Sequence, residues 1–177
     1  MPRLFTGLEI PAPTAAALAS ARGGVYGARW IEANNYHVTL RFIGDVDLCM
    51  ARDVADALAD IRRPLVSIGF EGLSWFGADK PRAIVARIKP TAALIDLQGE
   101  QERLLRRIGL APEARNFTPH VTLARLRRVS PAAVADYLSV RGALVAPPFE
   151  APRFVLYSAR DSVGGGPYVV EAAYPLA

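Results

Sequence analysis

Residues 37–40 read His-Val-Thr-Leu, and residues 120–123 read His-Val-Thr-Leu again. These are the only two histidines among the 177 residues. On a strand, residues two apart share a face. Each copy then presents an imidazole beside a hydroxyl, His37 with Thr39 and His120 with Thr122. Val38, Leu40, Val121 and Leu123 turn the other way, into a core. A repeat that uses every histidine in the chain predicts two similar halves whose histidine strands face one groove.

Working outward, Tyr36 to Ile43 reads as a strand, with Val38, Leu40 and Phe42 on one side and His37, Thr39 and Arg41 on the other. His120 to Leu126 reads the same way. Further strands are predicted at Arg3–Ile10, Leu65–Phe70, Leu73–Phe76, Ala83–Ile88, Phe154–Ala159 and Tyr168–Tyr174. Helices are predicted at Thr14–Arg22, Asp47–Arg63, Thr91–Ile108 and from Ser130-Pro131 to about Leu138. Asp45 or Asp47, Thr91 and Ser130 are the capping candidates, and Pro131 suits a first helical position. Gly164-Gly165-Gly166 with Pro167 reads as a hairpin loop, and as a candidate flap over the groove.

No linker is long enough to separate two independent units, so residues 1–177 read as a single bilobal domain. The expected class is α+β: two pseudo-symmetric lobes of mainly antiparallel sheet, helices outside, and a central groove carrying two His-x-Thr motifs.

Composition bounds the partners. Half the residues are hydrophobic and a fifth are charged, as in ordinary globular domains. No stretch approaches the ~20 apolar residues of a membrane span. The first residues lack the apolar run of a signal peptide. The one cysteine, Cys49, excludes an internal disulfide and fits a reducing compartment, so the cytoplasm is expected. Of the 21 basic residues two are lysines (Lys80 and Lys89), leaving 19 arginines against a net charge of +4. Arginine forks suit phosphate, although a GC-rich genome would also supply arginine and alanine in this excess.

Two imidazoles and two hydroxyls in one groove suit attack on a phosphodiester. A neutral imidazole takes a proton from water or a hydroxyl, and a protonated one delivers a proton to the departing oxygen. Histidine titrates near ~6.5, so both forms are accessible at neutral pH. The Thr39 and Thr122 hydroxyls can donate to the non-bridging oxygens. A metal centre is not expected: the spacing is not His-Glu-x-x-His, and no acidic or cysteine cluster flanks either motif. A Gly-x-Ser-x-Gly elbow is absent as well.

At these residues the chain resembles the two-histidine (2H) phosphoesterases, and within them the RNA 2′,3′-cyclic phosphodiesterases, also called 2′-5′ RNA ligases. The resemblance runs through nearly the whole chain. It covers Arg3-Leu4-Phe5 with Leu8-Glu9-Ile10-Pro11, Arg29-Trp30, and Asn35-Tyr36-His37-Val38-Thr39-Leu40-Arg41-Phe42-Ile43-Gly44. It continues through Arg115-Asn116-Phe117-Thr118-Pro119-His120-Val121-Thr122-Leu123-Ala124-Arg125, Leu156-Tyr157-Ser158 and Gly166-Pro167-Tyr168. It implies opening of an RNA 2′,3′-cyclic phosphate to a 2′-phosphomonoester, without a metal or other cofactor. By the same resemblance His37 would be the general acid and His120 the general base. Thr39 and Thr122 would hold the phosphate, and Arg125 resembles a phosphate-binding arginine of the family. Gly7 stands where alanine is more frequent, an exchange expected to be harmless. Arg41 stands where lysine is frequent, and is expected to bring positive charge to the His37 face.

By strict alternation Arg125 falls opposite to His120, so a bulge or the strand end must redirect it. Phe5 is a candidate platform for a base, or a core residue. Trp30 and Trp75 read as packing, and Cys49 as inert. The expected partners are RNA 3′ ends carrying a 2′,3′-cyclic phosphate, or small cyclic nucleotides, met by a monomer away from any membrane. The alternatives are a 2′-5′ ligase or phosphodiesterase using the same site, and a basic RNA-binding module with little turnover.

Overall fold

A computed structural model describes residues 1–159 and 166–177. The elements run β1 (Arg3–Glu9), α1 (Ala12–Ala19), β2 (Ala28–Trp30), a 3-10 turn (Ala33–Asn35), β3 (His37–Asp45), α2 (Leu48–Leu58), β4 (Val66–Ile68), β5 (Phe70–Phe76), β6 (Ala83–Ile88), α3 (Ala92–Arg107), β7 (His120–Leu126), α4 (Pro131–Arg141), β8 (Phe149–Ala151), β9 (Arg153–Ala159) and β10 (Tyr168–Pro175). The helix starts follow the sequence chemistry. Asp47, Thr91 and Ser130 each accept from a backbone N–H three residues on, at 2.8, 3.3 and 3.1 Å. Helix α2 ends at Leu58, short of Arg63, where tighter bonds from Asp60 to Ala57 and from Ile61 to Leu58 close the turn. Apart from Gly166, the triple-glycine loop lies outside the described residues.

One antiparallel sheet runs in the order β10-β9-β1-β3-β7-β6-β5, with β2 added on β7. Strands β4 and β8 form a separate ribbon, so the single strand expected over Leu65–Phe70 is broken at Gly69. Neither β2 nor β8 was legible, because three residues carry no readable periodicity. Helices α2 and α3 back the half built on β3: Tyr174 donates to Ala55 at 3.0 Å, and Thr6 to Gln101 at 2.5 Å. Helices α1 and α4 lie behind the half built on β7, where Tyr137 donates to Ala21 at 2.6 Å. One continuous apolar cluster joins both halves, and a smaller one of Phe5, Val155 and Tyr157 lies apart from it. No helix among the described residues is long and apolar enough to cross a membrane.

The two halves meet at one residue pair, Val38 opposite Val121, both fully buried. Each histidine strand then bulges at the same motif position. On β3, Thr39 faces Gly7 and Arg41 faces Thr6, which leaves Leu40 extra. On β7, Thr122 faces Val85 and Ala124 faces Ile84, which leaves Leu123 extra. An extra residue inverts the alternation beyond it. The residues next to each leucine, Arg41 and Ala124, therefore turn into the core, and the following ones, Phe42 and Arg125, come round to the histidine face.

The expectation that Gly7 tolerates alanine is corrected here. A Cβ on Gly7 would approach the Val38 carbonyl oxygen to 2.7 Å and the Tyr157 ring to 3.2 Å, so the backbone of β1 or β3 would have to move.

Candidate active site

Val38 and Val121 face the core, so their neighbours face the groove together. The antiparallel register through that pair sets His37 level with Thr122 and Thr39 level with His120. The histidines are then diagonal neighbours, ~7–8 Å apart by strand geometry, a separation that accepts one phosphate between the rings.

Backbone carbonyls orient both imidazoles. His37 Nδ1 lies 2.9 Å from the Asn35 carbonyl oxygen, and His120 Nδ1 lies 2.7 Å from that of Thr118. A carbonyl only accepts, so each Nδ1 carries hydrogen and each Nε2 is left with its lone pair in the neutral ring. The His37 Nε2 accepts from the Thr39 hydroxyl at 3.0 Å. Both carbonyls sit two residues before their histidine, at the entry to each motif.

The two rings have different surroundings. Phe5 packs on His37 with ring centres 4.9 Å apart, Tyr168 meets it edge-on at 4.9 Å, and Tyr157 lies at 5.6 Å. Burial among these rings pushes the His37 pKa down to about 4, and the charges of His120 and Arg125 add to the fall. His120 has one aromatic neighbour, Phe76, edge-on at 4.7 Å. Its pKa is also lowered, first by burial and then by Arg125, against the bond to Thr118. The Arg125 charge thus acts on both rings.

The Leu123 bulge thus resolves the position of Arg125: it is exposed and on the groove face. The expectation for Arg41 is overturned by the matching bulge at Leu40. Arg41 is 5% exposed and points away from the groove. It is paired with Glu102 of α3 and donates to the carbonyls of Phe42 and Ala111. Of the two readings of Phe5, the core one holds. Phe5 is 5% exposed, stacked on Tyr157 at 5.0 Å and edged by Tyr168, which leaves no face for a base.

Sequence reasoning missed Phe42. It occupies the place in β3 that Arg125 occupies in β7, lies opposite Phe5, and is 48% exposed. The repeat carried the signal: the fifth residue after each histidine is Phe42 or Arg125. Strict alternation hid it. Arg29 of β2 was also missed, and stands directly opposite Arg125. Trp30 and Trp75 are packing residues as expected; Trp30 lies 5.8 Å from Tyr137, and Trp75 Nε1 donates to Ala78 at 3.3 Å. Cys49 is free and exposed on α2.

Comparison with known proteins agrees with this architecture. The family described as LigT like Phosphoesterase matches the chain twice, over residues 8–85 and 88–168. The RNA 2′,3′-cyclic phosphodiesterase of Aeropyrum pernix is 40% identical over 99 residues, 55% of this chain and 56% of that protein. The enzyme of the same name from Geobacillus stearothermophilus is 30% identical over 152 residues, 83% of this chain and 47% of that protein. The chain thus spans about half the length of the curated relatives it matches. Among solved structures, a crystal structure of a phosphoesterase superposes with a TM-score of 0.81 at 22% identity, covering 99% of this chain and 98% of that one. E. coli LigT complexed with 3′-AMP superposes with a TM-score of 0.80 at 23% identity, covering 99% of each chain.

Proposed function

This chain belongs to the LigT-like phosphoesterase family, and on that premise we propose that it opens 2′,3′-cyclic phosphates at RNA 3′ ends, giving 2′-phosphomonoesters by acid–base catalysis from His37 and His120. The observation that carries the reading is the matched pair of Nε2 atoms, each aimed into one groove by a backbone carbonyl behind it. Curated relatives named RNA 2′,3′-cyclic phosphodiesterase support the substrate class.

The cyclic phosphate sits between the rings. His120 Nε2 accepts a proton from water as the water oxygen bonds to phosphorus. The P–O3′ bond breaks, and the proton on His37 Nε2 passes to O3′. Burial holds the proton affinity of His37 low, so once protonated it is a ready donor; the anionic substrate favours that protonation. Protonation also releases Thr39. Its hydroxyl donates to Nε2 in the neutral state and must turn when Nε2 gains hydrogen. It is then free to donate, with Thr122, to the non-bridging oxygens. Arg125 supplies the fork of positive charge on the same oxygens, and Phe42 offers an open ring to the terminal base.

The groove is built within one continuous core, so one chain acting as a single domain and as a monomer suffices. The free Cys49 suits a cytoplasmic enzyme.

The test is incubation, in EDTA, of an RNA oligonucleotide ending in 2′,3′-cyclic phosphate, with the product terminus identified. A 2′-phosphate is expected at full rate in the chelator. Activity that is lost and then restored by zinc or magnesium overturns the metal-free mechanism. An untouched terminus overturns the cyclic-phosphate reading in favour of a 2′-5′ linkage or of RNA binding without turnover.

A further inference from the structure

The β2–β7 ribbon does not end at the groove. Arg29 stands opposite Arg125 and Ala28 opposite Leu126. Beyond them the Arg127 N–H donates to the Gly27 carbonyl at 3.3 Å. Gly27 takes a φ of +88°, and a Cβ there would lie 2.9 Å from the Arg127 carbonyl oxygen. Only glycine lets the two chains close at this point. The closure brings Tyr26 and Arg128 together at the ribbon end. Arg128 has a φ of +56°, uncommon for a residue with a side chain.

Tyr26, Gly27, Arg127 and Arg128 line a cleft of about 550 Å3. Tyr26 is fully exposed, and both arginines are exposed between the buried anchors Leu126 and Val129. The ion pairs among the described residues leave Arg125, Arg127 and Arg128 out. Core packing does not account for a fully exposed tyrosine beside two arginines outside those ion pairs. Arg127 is two residues past Arg125 and one past the end of β7. The cationic track therefore leads from the histidines into this cleft.

We propose that the cleft is a second nucleotide subsite, in which Tyr26 stacks a base and Arg127 and Arg128 hold phosphates of the single-stranded RNA 5′ to the cyclic end. It rests on the proposed cyclic phosphodiesterase activity. An open aromatic flanked by cations fits a strand whose bases are unstacked, and it does so with little base preference. The subsite would make an oligonucleotide a better substrate than a mononucleotide at the same catalytic centre.

The test measures fluorescence anisotropy of a 5′-labelled octaribonucleotide ending in a 2′-phosphate, across a salt series, with kinetics on 2′,3′-cyclic AMP alongside. Tyr26→Ala is expected to weaken the octanucleotide by about tenfold, with Tyr26→Phe restoring it. Arg127→Gln and Arg128→Asn are each expected to lower the magnitude of the log–log salt slope by about 0.7. Neither kcat nor KM for cyclic AMP should move. Unchanged octanucleotide affinity in these variants overturns the subsite, as do equal losses on cyclic AMP and on the octanucleotide. Should the wild type leave both cyclic AMP and an octaribonucleotide ending in 2′,3′-cyclic phosphate intact, the proposed activity fails, while the affinity and the salt slope still decide the subsite.

Discussion

Val38 stands directly opposite Val121, and that single antiparallel pair joins the two halves of the sheet. The pair links two copies of the same four residues, so it also acts as a local symmetry axis. His37 and His120, Thr39 and Thr122, and the bulged Leu40 and Leu123 are related across it. Beyond the bulges the symmetry is broken by chemistry, with Phe42 on one side and Arg125 on the other.

His37→Ala and His120→Ala should each lower kcat by about 10²–10⁴. RNA affinity should hold, since Arg125 and Phe42 remain. The double variant should be little worse than either single one, because the two groups act in one step. Steady-state kinetics beside a binding isotherm provide the check; a His37→Ala enzyme within a few-fold of wild type sinks the assignment.

Arg125 and Arg41 occupy opposite faces of the sheet and should fail differently. Arg125→Ala is expected to lower turnover by roughly 10²–10³ with an unchanged melting temperature. Arg41→Ala leaves the Glu102 carboxylate half-buried without its partner. It should cost about 3–5 kcal/mol of stability while sparing kcat in the fraction that stays folded. Thermal melts and initial rates on both proteins separate the two outcomes.

The pH dependence follows from the two lowered histidines. In the free enzyme His37 titrates at about 4 and His120 below its ordinary value. The plot of kcat/KM should therefore be bell-shaped, with its optimum on the acid side of ~6.5. Bound phosphate favours the charged rings, so the kcat optimum should lie at higher pH. A kcat/KM that rises steadily from about pH 5 to about pH 9 contradicts the mechanism. Stability carries the same sign. Between ~6.5 and about 4 the unfolded chain holds the proton that folded His37 refuses, so the melting temperature should fall as pH falls through that window. Inorganic phosphate should lessen the fall.

Phe42→Ala should raise KM for cyclic nucleotides by about tenfold, the loss of one stacked base, with kcat little changed. Phe42→Tyr should restore most of it. Phe5→Leu tests the contrast, since Phe5 packs on His37 and offers no face to a base. It should act by shifting the acid limb of the pH profile. A Phe42→Ala variant with wild-type KM removes the base platform.

What could be read along the chain was local. The repeated His-Val-Thr-Leu, its strand alternation and its two core anchors came from spacing alone, as did the caps at Asp47, Thr91 and Ser130. These are decided by side chains a few residues apart, and the pairing of motifs was enough to predict a shared groove. Three things were decided only by the tertiary structure. The first was the face of every residue beyond Leu40 and Leu123. A bulge depends on the register of a partner strand, and that register is set by β1 and β6, distant in sequence. It sent Arg41 into the core and brought Phe42 and Arg125 to the site. The second was the enclosure of His37 by Phe5, Tyr157 and Tyr168, from three separate strands, which depends on sheet order. The third was the union of β2 with β7, too short to show periodicity, which carries the arginine track from the histidines to Tyr26. The sequence by itself determined which groups are candidates for the chemistry; long-range strand pairing decided which of their neighbours face them.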